Sequence, residues 1–83
     1  MQKKFTLKGI DQLVLLGSQD SYLRLIQSHF SAKITVRGNS LVLDGERDEI
    51  VTLEKLFSEL ILLINSNGGI TKTDIETMIN LIK

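Results

Sequence analysis

The chain predicts an α+β fold, a two-layer sandwich in which helices cover one face of a three-stranded antiparallel sheet. Three observations predict it. Three five-residue stretches alternate polar and apolar residues, the period-2 pattern of half-buried strands. The segments between and after them space their apolar residues as helices do. The 83 residues contain no Cys, so neither a disulfide framework nor a thiolate metal site can hold the fold, and an apolar core rich in Leu and Ile must.

Lys4 to Lys8 (KFTLK) is the first alternating stretch, with Phe5 and Leu7 inward, and Gly9 ends it. Asp11 to Leu16 reads as a short helix opened by a capping Asp11. Gly17-Ser18-Gln19-Asp20 breaks it, and Ser18 or Asp20 is placed to cap a second helix reaching about Phe30, with Leu23, Ile26 and Phe30 on one face. Lys33 to Arg37 (KITVR) and Ser40 to Asp44 (SLVLD) are two more strands, joined at Gly38-Asn39 by a two-residue hairpin turn that needs positive φ.

The longest helix runs from Arg47 to about Asn65. At about 100° per residue, Ile50, Leu53, Leu56, Phe57, Leu60, Ile61, Leu63 and Ile64 form one broad stripe. Val51 and Leu62 fall off it and call for a separate cover. Asn65 to Gly69 stops this helix, and Thr71 caps a last one over Lys72 to Ile82, with Ile75, Met78, Ile79 and Ile82 in register. That helix reaches Lys83 without a Gly, Pro or polar stop, the expectation for a chain cut from a longer protein. The inward strand residues give one apolar sheet face; the other would show Lys4, Thr6, Lys8, Lys33, Thr35 and Arg37.

Ten basic and ten acidic side chains cancel, but not evenly along the chain. Residues 1–43 carry Lys3, Lys4, Lys8, Arg24, Lys33 and Arg37 against Asp11 and Asp20; the remainder reverses the sign. One face can therefore carry a cationic field despite overall neutrality, while the absence of a basic excess excludes a strong non-specific DNA binder. The basic start is followed by no secretory apolar region, and the longest apolar run, Leu60 to Ile64, cannot span a bilayer, so the cytoplasm is the expected compartment and no membrane partner is expected. A lone His29 without an acidic or hydroxyl partner nearby reads as a surface residue. Glu46, Asp48 and Glu49 read as helix-dipole partners, not as a metal cluster. No catalytic constellation and no metal site is expected.

The order strand, helix, helix, strand, strand, helix resembles a KH domain of the first type, whose Gly-x-x-Gly loop between its first two helices clamps the backbone of a short single strand. Gly17-Ser18-Gln19-Asp20 occupies that place with one of the two glycines, and Asp20 adds a carboxylate where the second would stand. The fold so implied is a KH-like (type I) two-layer sandwich with an extra C-terminal helix.

A narrower resemblance rests on Leu15-Leu16-Gly17-x-x-Asp20-x-x-Leu23-Arg24-Leu25-Ile26, then Phe30, then Ile34-x-x-Arg37-Gly38-x-x-Leu41-x-Leu43-x-Gly45. This is similar to the amino-terminal region of PhoH-like proteins, the phosphate-starvation-inducible ATPases, over about residues 5–65. The segment Thr71 to Ile82 fits what precedes their ATPase domain. The resemblance implies a KH-like domain over 1–69 and, over 70–83, a helix leading toward a downstream ATPase domain, which would hold ATP and Mg. The chain has no Gly-x-x-x-x-Gly-Lys-[Ser/Thr], so no cofactor is expected in this part and it is not expected to be an enzyme.

The resemblance implies single-stranded RNA as partner, met by backbone N–H groups of Gly17, Ser18 and Gln19, with Arg24, Lys33 and Arg37 on its phosphates and Lys4 and Lys8 extending the groove. The bland reading of the loop is a capped helix-to-helix turn, and that of the bases is a solvated surface. The alternative function is a protein-interaction or assembly module that has lost nucleic-acid binding. Its partners would be the downstream ATPase domain or a second copy of the chain, reached through the apolar runs of the last two helices.

Overall fold

A computed structural model describes residues 1–83. The elements are β1 (Gln2–Thr6), α1 (Gln12–Leu16), a 3-10 turn (Ser18–Asp20), α2 (Ser21–Gln27), β2 (Lys33–Arg37), β3 (Ser40–Asp44), α3 (Arg47–Asn67) and α4 (Lys72–Ile82). The sheet is antiparallel throughout, in the order β1-β3-β2. Leu41 and Leu43 of the central strand, with Ile34, are buried on the inner face, where α2 packs on β2 and α3 on β3. This is the α+β sandwich of KH-like order that the sequence predicts. No helix is long and apolar enough to cross a membrane.

β1 lies two residues earlier than the alternation predicts, because its ladder runs on to the first residue. Met1 and Gly45 exchange two bonds of 3.0 Å, while after Thr6 the chain turns away, Ile10 N–H bonding back to Leu7. Leu7, just past the strand, still gives its N–H to Asn39 C=O and enters the core. α2 stops at Gln27, not Phe30. Its last turn tightens into i→i+3 bonds at His29 and Phe30, the Ser28 hydroxyl donates to Leu25, and Gln27 is drawn toward β2. The Gln27 amide accepts from Ile34 N–H at 2.9 Å and donates to Ala32 C=O at 2.6 Å.

α3 runs two residues past the expected stop and ends where Gly68 N–H meets Ile64 C=O at 2.8 Å. Its stripe is buried as predicted at Ile50, Leu53, Leu56, Phe57, Leu60 and Ile64. The expected cover for Val51 and Leu62 is absent: they are 55% and 61% exposed. Both lie on the side of α3 nearly opposite its stripe, and α4 packs on α3 and α2 through Ile75 and Ile79, leaving that side in water. Thr71 and Asp74 close a capping box at the start of α4. Ile70, Ile75 and Ile79 share one core with the sheet residues. No buried side-chain polar atom lacks a partner.

Candidate nucleic-acid interface

The corner between α1 and α2 is built by backbone geometry. Asp11 caps α1, accepting from Leu13 N–H at 3.0 Å and Val14 N–H at 3.4 Å. Gly17 ends it with φ 78°, and a Cβ there would lie 2.6 Å from Ser21 Oγ and 2.8 Å from the Tyr22 ring. Glycine is thus required twice, for the sign of φ and for the approach of α2. Ser18, Gln19 and Asp20 then stand exposed in a tight turn closed by Asp20 N–H on Gly17 C=O at 3.2 Å.

Gln19 (φ 54°) and Asp20 (φ 59°) are both left-handed, a region that costs most L-residues about 1–2 kcal/mol and that Asp enters more readily than most. Asp20 therefore adopts the backbone that a second glycine would take freely. The expected cap does not form: neither Ser18 nor Asp20 bonds the start of α2 through its side chain. A capping residue is normally extended so that its oxygen turns back onto the helix, and left-handed Asp20 cannot do this.

The six sequence-derived contact residues fall on two surfaces. Gly17, Ser18 and Gln19 form the corner. Arg24 lies one turn further along α2, where Ser21, Tyr22, Arg24 and Leu25 line with Lys72 a groove of about 350 Å³ between α2 and α4. Lys72 was not singled out from the sequence, because only the docking of α4 on α2 brings it beside Arg24. Lys33 and Arg37 project instead from the outer sheet face, the side away from the helices, together with Lys4. The single groove expected of these bases is therefore two surfaces. The cause is the pleat: Ile34 is buried inward, so Lys33, Thr35 and Arg37 point outward. Lys8 lies past the end of β1 and lines neither.

Tyr22 is half-buried, its hydroxyl donating to Ile70 C=O at 3.4 Å, and so ties α2 to the start of α4. His29 is exposed, and its backbone carbonyl accepts from the Lys83 ammonium. The acids at the start of α3 are partly engaged inside the fold, Glu49 accepting from Ser31 N–H at 3.2 Å and Ala32 N–H at 2.6 Å. Gln12 clips α1 to the β2–β3 turn, donating to Gly38 C=O at 2.8 Å.

Fold and corner together define a small KH-like domain with a degenerate Gly-x-x-Gly loop. The chain is 40% identical over 57 residues to a PhoH-like protein of Mycobacterium tuberculosis and 37% identical over 57 residues to one of Mycobacterium leprae, in each case 69% of this chain and 16% of the relative. It is 30% identical over 78 residues to a PhoH-like protein of Bacillus subtilis, which is 93% of this chain and 24% of the relative. The chain is a relative of PhoH-like proteins, and it spans between 16% and 24% of their length. No family model and no solved structure matches it.

Proposed function

We propose that this chain is an accessory domain of a PhoH-like protein, standing amino-terminal to an ATPase domain and contacting single-stranded RNA at the α1–α2 corner. The observation that carries the reading is the corner itself. It keeps a buried Gly17 and two successive left-handed residues, a backbone whose strain of about 1–2 kcal/mol per residue is the kind retained at ligand-contacting turns. Exposed Ser18 and Gln19 present their backbone to a phosphate, and Arg24 and Lys72 supply the neighbouring positive charge. ATP hydrolysis in this reading belongs to the part of the protein that this chain does not span.

A second reading, a protein-interaction module with nucleic-acid binding lost, is favoured by two features beside the corner. Leu13 on α1 is 68% exposed, and the Asp20 carboxylate is exposed without a bonded partner. Titration of a short single-stranded RNA at low salt separates the two. The first reading expects saturable, salt-dependent binding that Arg24→Ala weakens. Absence of binding at sub-millimolar protein, together with concentration-dependent self-association, would establish the second.

A further inference from the structure

We infer that the outer face of the sheet is a phosphate-tracking surface for single-stranded nucleic acid, separate from the α1–α2 corner and indifferent to base identity. The inference rests on the nucleic-acid reading given above and adds a second contact surface to it. Register places Val42 of β3 at the centre of this face, between Lys4 on β1 and Thr35 on β2, with Lys33 and Arg37 on the flanking outward positions of β2. At strand spacings of about 4.8 Å and rises of about 3.3 Å per residue, Lys33 and Arg37 are about 13 Å apart and Lys4 is about 12 Å from each. Their long side chains surround a shallow depression of about 280 Å³.

Charge argues for an external anion. The chain's one ion pair joins Lys3 to Glu54 at 3.4 Å, so Lys4, Lys33 and Arg37 are unpaired although Asp44 shares their face.

The chemistry of the face selects the kind of anion. A protein partner needs an apolar or aromatic anchor at the centre of its interface, and this surface offers Val42 alone. Along β2, Lys33, Thr35 and Arg37 instead repeat a donor about every 6.6 Å, which suits a polymer with a regular charge repeat. No aromatic side chain faces outward: Phe30 and Phe57 are buried, Phe5 and Tyr22 pack against the core, and bases have nothing to stack on.

The test uses the 83-residue chain, a fluorescently labelled single-stranded oligonucleotide, an abasic strand of the same length, and poly-glutamate. The wild type is expected to bind both strands. A Lys4→Ala, Lys33→Ala, Arg37→Ala triple variant, all at exposed positions, should keep its fold by circular dichroism. It should lose about tenfold or more in affinity for both, and the slope of log affinity against log salt should shrink by about two, at about 0.7 per single-strand phosphate contact. If the triple variant binds like the wild type while Arg24→Ala loses binding, the sheet face is not on the strand's path and the inference falls while the corner reading stands. If the wild type binds neither strand, the nucleic-acid reading falls and this inference with it. Poly-glutamate bound as tightly as the strands would overturn the phosphate assignment.

Discussion

Gly45 and Ala32 meet with no room for a side chain between them: a Cβ on Gly45 would lie 2.6 Å from the Ala32 Cβ and 2.9 Å from its Cα. The same Ala32 gives its N–H to Glu49, so the end of β3, the entry to β2 and the first turn of α3 are fixed at one junction. Gly45→Ala must push two backbones apart. We expect it to destabilise the domain by about 1–3 kcal/mol, the usual cost of overpacking, read as a lower urea midpoint at unchanged slope.

Gln27→Ala would leave Ile34 N–H and Ala32 C=O without their side-chain partner in a half-buried setting. The expected loss is about 1–3 kcal/mol. Hydrogen exchange should show it locally, with Ile34 losing protection while Leu41 and Leu43 retain theirs.

Asp20→Gly should act twice. It removes the left-handed penalty, partly offset by glycine's greater freedom when unfolded, for a net stabilisation of about 0.5–1 kcal/mol. It also removes a carboxylate from the corner, so RNA affinity should rise if phosphate approaches there. Higher stability with unchanged affinity would show that the corner does not face the strand.

Thr71→Ala breaks the capping box that orders the start of α4. A cost of about 1 kcal/mol is expected in chemical denaturation, with earlier exchange of the α4 amides than of those in α3.

The strands and the α3 stripe were legible because their periods, two and 3.6, reflect one-sided burial, and the hairpin turn fell on Gly38. The boundaries were not. α2 ends where its backbone bonds tighten to i→i+3 at His29 and Phe30, and β1 begins at Gln2 because Met1 bonds Gly45, a contact between distant parts of the chain. For the same reason the corner residues could be named from sequence, but their grouping could not. Arg24 and Lys33 lie nine positions apart, yet the pleat sends Lys33 to the face away from α2, while docking brings Lys72 beside Arg24. The missing cover over Val51 and Leu62 has a similar origin: helical spacing marks which residues share a side, not whether a neighbour arrives there.

Gln27 has one more consequence. With its amide seated on Ile34 N–H and Ala32 C=O, the start of that sheet margin offers an incoming strand no free backbone group at those two positions, while β1 at the opposite margin carries no such guard.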